Sequence, residues 1–109
     1  MEARQVKERF PGIERCIDRA AQLCRITKAV PEDLRACIRE LDRESDETRQ
    51  LLAYEDNDNR IIQSIEKLEK LGDRAVRACL QAGNTVDQEV QDAVQQAHDA
   101  ISSLKHRLH

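Results

Sequence analysis

Large apolar residues return at spacings of four and three in four separate stretches of this 109-residue chain, and short polar or breaker segments divide the stretches. That period matches the 3.6-residue turn of an α-helix and excludes the alternation of a half-buried strand. The first stripe is Val6, Phe10, Ile13, Ile17, Ala20, Cys24 and Thr27, widened by Leu23 and Val30. Pro11 and Gly12 interrupt it. Because proline is tolerated only in the first turn of a helix, the regular segment is predicted to begin near Pro11, with Val6 and Phe10 on a lead-in. Pro31 closes the segment by pushing its predecessor out of helical geometry.

The second stripe opens with Pro31 at the first helical position and continues through Glu32 and Asp33, acids that suit the positive end of the helix dipole. Leu34, Ile38, Leu41, Ser45, Thr48 and Leu52 follow, but residues 43–50 contain no large apolar side chain and read as a solvated stretch or a polar contact layer. Residues 55–59 (Glu-Asp-Asn-Asp-Asn) compete with helical hydrogen bonds and mark a turn. No Gly or Pro enforces that turn, so the alternative is three helices, one of them running unbroken over about 32–82. The third stripe is Ile61, Ile65, Leu68, Gly72, Ala75, Cys79 and Ala82, stopped by Gly83-Asn84. Thr85 and Gln88 match a capping box, which makes Thr85 the expected cap of a last helix carrying Val90, Val94, Ala97, Ile101, Leu104 and Leu108.

Helices of about 18 to 24 residues on short links lie antiparallel to their sequence neighbours, because such links cannot cross a bundle's length. The expected fold is all-α: an antiparallel, up-down-up-down four-helix bundle with coiled-coil-like seams, a single domain over 1–109. Ala20, Gly72, Ala75, Ala93 and Ala97 on the seams allow close approach of the axes. The core is lean. Leu, Ile, Val and Phe together number 25, Trp is absent, and Phe10 and Tyr54 are the only aromatics. A lean amphipathic bundle commonly buries a further stripe against a second copy of itself.

With 36% charged residues and three glycines, the chain is neither disordered nor sheet-rich. No apolar run approaches the roughly 20 residues of a membrane span, and the charged start lacks a signal-peptide core, so a cytoplasmic protein with reduced cysteines is expected. The formal charge of −3 divides unevenly, with +3 on residues 1–30, −5 on 31–60 and −1 on the rest. The first two helices therefore attract each other. A nucleic-acid surface needs a basic face with aromatics or a reading helix, and neither is present.

Three cysteines carry the main chemical alternative. Cys24, Cys37 and Cys79 all fall roughly 8 to 10 Å from one end of the bundle at about 1.5 Å per residue, so they can share a layer. That layer suggests a thiol-based metal or redox sensor, although the last helix offers only Glu89 as a fourth ligand and no short-spaced cysteine pair occurs. Small buried core residues are the competing reading, and no cofactor is expected. His98 is preceded by Gln95 rather than the Glu of a di-iron Glu-x-x-His pair. In size and topology the chain resembles histidine phosphotransfer domains, which would make His98 the phosphorylated residue. Those domains carry a lysine three residues on, usually followed by glycine, and Ile101 and Ser102 stand there instead. Asp92, Asp99, Ser102 and Ser103 have no activating partner legible in the sequence.

The functional expectation is a small non-enzymatic bundle acting through protein–protein contact, with itself as a homo-oligomer or with another helical protein. Leu23, Ile26, Leu51, Ile62, Leu71 and Leu80 flank the seams and are the candidate interface residues.

Overall fold

The computed structural model describes residues 3–54 and 58–108. It contains four α-helices: α1 (Ala3–Ile26), α2 (Glu32–Tyr54), α3 (Asp58–Ala82) and α4 (Gln88–Leu108), with a short 3₁₀ turn at Gly83–Thr85. Each helix packs on two others, giving the closed ring α1–α2–α3–α4 of an antiparallel bundle measuring 42 × 23 × 18 Å. The cross-links set the direction. Glu14 meets Arg49, Glu40 meets Arg74, and Asp73 meets His98, so sequence numbers run in opposite senses on neighbouring helices. The unbroken helix over 32–82 is excluded, because α3 folds back along α2. The turn expected at 55–59 falls partly outside the described residues, at 55–57.

The predicted seams are the core. Ile17, Leu34, Ile38, Leu41, Ile61, Ile65, Leu68, Val90 and Ile101 are at most 2% exposed and belong to one continuous cluster. The apolar gap at residues 43–50 is a polar contact layer. Ser45, Thr48 and Ser64 are buried there, Thr48 hydrogen-bonds Ser64 across α2–α3, and the Thr48 hydroxyl donates to the Glu44 carbonyl at 2.8 Å.

Several boundaries differ from the sequence reading. α1 begins at Ala3 and runs through Pro11, where the regular helix was expected to start. Val6 and Phe10 explain it: both are 1% exposed, and burying each contributes about 2 to 3 kcal/mol, against about 3 kcal/mol for one interior proline whose ring faces solvent. The second difference is the cap of α4. Asp87, not Thr85, holds that place: its carboxylate accepts the Glu89 N–H at 3.0 Å and its carbonyl the Gln91 N–H at 3.1 Å. Thr85 instead donates its hydroxyl to the Ala82 carbonyl at 2.8 Å. The reason lies between them. Val86 is extended and 3% exposed, so seating it in the core consumes two residues before α4 can start. Gly83 does supply the left-handed stop, at φ 61°. At the other link α1 stops at Ile26 rather than at Pro31, its last carbonyls being taken by Arg35, and Pro31 stands one residue earlier than expected, its carbonyl accepting the Arg35 N–H at 3.0 Å.

Candidate interaction surface

Because opposite flanks of a helix are only a few residues apart in sequence, the six candidate interface residues distribute over several faces of the bundle. Ile26 and Leu80 are 69% and 74% exposed, while Leu23, Leu51, Ile62 and Leu71 are half-buried. Leu23 and Leu71 pack their inner sides on the core. Ile26 ends α1 and Leu80 lies near the end of α3, so both sit at the end of the bundle that carries the links 27–31 and 83–87. Leu80 is two turns beyond Asp73, on the flank that α3 turns toward α4, whereas Leu71 lies in the groove between α2 and α3.

That groove is lined almost entirely by charged side chains. Its α2 wall carries Glu40, Glu44 and Glu47, interrupted by Arg43, and its α3 wall carries Lys67, Lys70 and Arg74 around Leu71, enclosing about 490 Å³. Toward the link end it continues between Asp33 and Ala36 on α2 and Arg77, Ala78 and Gln81 on α3. The two walls therefore have opposite sign. Within the chain Arg74 reaches Glu40 at 3.7 Å. Burial, with Glu47 beside it, holds the Glu44 carboxyl above the usual carboxylate range against the pull of Lys67.

On the far side of α3, His98 of α4 lies between two carboxylates. Its Nε2 is 2.7 Å from Asp73 Oδ1 and its Nδ1 is 3.2 Å from Asp99 Oδ1. Both ring nitrogens must donate to satisfy both oxygens, which only the imidazolium can do. Burial pulls the histidine pKa down, but the hydrogen bonds and charges of Asp99 and Asp73 outweigh it and raise the value. Gln95 donates to Asp99 at 2.9 Å, and about two turns beyond His98 Lys105 pairs with Glu69. With carboxylates on both ring nitrogens, His98 is held as an ion-paired clasp of the α3–α4 seam.

The cysteines are partly gathered. Cys24, Cys37 and Cys79 are buried, Cys16 is half-buried, and all four are free thiols. Burial and then Cys24 push the Cys79 thiol up to about 11, and burial raises Cys24 against the pull of Arg35. Such thiols are overwhelmingly protonated near neutral pH. Among the described residues, no three His, Cys, Asp or Glu side chains come together in an arrangement able to hold a metal ion.

Sequence reading missed Arg35. Its guanidinium leaves α2 and closes the end of α1, with Nη1 donating to the Cys24 carbonyl at 2.6 Å, Nη2 to Thr27 at 2.8 Å and Nε to Val30 at 3.4 Å. Its place one turn after Pro31 was visible, but which carbonyls it would meet was not. No protein family, curated protein or solved structure matches the chain. Among the described residues no helix is long and apolar enough to cross a membrane.

Proposed function

We propose that this chain is a non-enzymatic, cytoplasmic interaction protein that works by presenting its helix faces to a second copy of itself or to another helical protein. One observation carries the reading: Ile26 and Leu80 stand mostly in water at the same end of a bundle whose other described large aliphatics are buried or half-buried. Covering both contributes about 3 to 5 kcal/mol, a useful fraction of the roughly 8 kcal/mol of a micromolar complex. The long antiparallel faces between helices suit a helical partner in particular. The thiols support this reading more than a sensor, since the burial of Cys24, Cys37 and Cys79 and the raised pKa values of Cys24 and Cys79 favour inert packing groups.

Light scattering on the full chain at micromolar concentration, alone and with the variants Ile26→Glu and Leu80→Glu, tests it. The expected result is a self-associated species, or a monomer that binds a designed amphipathic helix, with either variant weakening the contact. A monomer that binds no helix and is indifferent to both substitutions overturns the reading.

A further inference from the structure

We infer that the α2–α3 groove is a self-recognition surface on which a second copy of this chain docks about a two-fold axis running along the groove. This inference takes from the reading above only that the chain works through protein contact, and it assigns a face separate from Ile26 and Leu80 to a second copy.

The argument is one of symmetry and charge. Rotation about an axis parallel to the helices leaves every residue at its own height while exchanging left for right. It therefore lays α2 of one copy on α3 of the other, again antiparallel. The acidic wall of each copy then faces the basic wall of its partner. Heights already match, because Glu40 is level with Arg74 inside one chain at 3.7 Å, so each Glu40 also comes level with the partner copy's arginine. The lengthwise extension of the groove adds Asp33 to the acidic wall and Arg77 to the basic one, leaving Arg43 as its one cation among the lining residues. A partner of a single charge sign, a polyanion included, is attracted by one wall and repelled by the other. A second copy is matched on both. The bundle is 42 Å long and about 20 Å wide, so a contact along this whole face is bounded at about 800 Å² per partner, and the charged groove from Asp33 to Glu47 spans about half that length.

Two variants and their mixture test the inference. Lys70→Glu with Arg74→Glu places carboxylates level with Glu44 and Glu40; Glu40→Lys with Glu44→Lys places cations level with Arg74 and Lys70. Each alone places like charges across the two-fold, and its dimer dissociation constant is expected to rise at least about 100-fold. Mixed in equal amounts, the two restore opposite signs at these two levels and are expected to form a heterodimer close to wild-type strength, read by analytical ultracentrifugation. A wild-type dimer that survives in both variants overturns the groove while leaving self-association through another face intact. A strictly monomeric wild type overturns the inference and leaves the binding of a different helical protein. Circular dichroism checks that the variants are folded. Should either unfold, a salt series on the wild type decides: the dissociation constant is expected to rise at least about 10-fold from low to high salt, and a salt-independent dimer overturns the inference.

Discussion

Gly72→Ala is expected to stabilise this bundle, although Gly72 sits buried on the α3–α4 seam where a small residue was expected to set the approach of the helices. A Cβ built there lies 3.7 Å from the His98 Cα, 3.7 Å from its Cδ2 and 3.8 Å from the Ile101 Cδ1. Those are ordinary van der Waals separations, so neither helix has to move. Replacing an interior helical glycine by alanine contributes about 1 kcal/mol through the lower entropy of the unfolded chain. Burying the new methyl adds up to about 0.8 kcal/mol. The sum, about 1 to 2 kcal/mol, corresponds to a rise in Tm of about 4 to 8 °C for a domain of this size. Far-UV circular dichroism on heating and in urea measures it. Gly83→Ala provides the opposite sign: nothing lies within 4 Å of its Cβ, but its φ of 61° makes a side chain strain the backbone by about 1 kcal/mol. A lower Tm for Gly72→Ala would refute the reasoning, because it would mean that the seam is closer than these separations and that the glycine is required there.

Asp87→Ala is expected to cost about 1 kcal/mol in urea unfolding and Thr85→Ala less than about 0.5, and the reverse order would return the cap to Thr85. Arg35→Ala strips three carbonyls of their donor and is expected to destabilise by about 1 to 3 kcal/mol, with hydrogen exchange at the end of α1 as the local readout. His98 has a raised pKa, so its contribution is fully present below the ordinary histidine value of about 6.5 and is lost as pH rises through the higher folded value. Stability should fall over that window in the wild type and lose that slope in His98→Gln; an NMR titration placing His98 below the ordinary value would contradict the clasp.

Periodicity carried most of the architecture because a bundle's core is a one-dimensional pattern wound on a helix. The stripe from Leu34 to Leu52 is buried throughout, including Ser45 and Thr48, whose polarity the spacing rule overrode and whose hydrogen bonding within the layer explains why burial is tolerated. Pro11 misled for a related reason. A local rule about proline was set against two buried side chains, and the worth of those contacts depends on where α4 and α2 lie. The capping box at Thr85 failed in the same way, since Val86 had first to reach the core.

The candidate surface was less legible. Residues 31–60 were visibly acidic, but that the acids Glu40, Glu44 and Glu47 stand opposite Lys67, Lys70 and Arg74 along one groove follows from the register of α2 on α3. The same register brings Asp73 to His98 and sends Arg35 to the end of α1. By itself, then, the sequence determined the apolar stripes and the antiparallel order of helices on short links, because those follow from the spacing of apolar residues and the shortness of the links, but it left open whether the second and third stripes belong to one helix or two. Only the tertiary structure decided which polar groups meet, because a salt bridge or a cap depends on ångström-scale rotation and sliding between helices that an apolar stripe about a third of a turn wide leaves open.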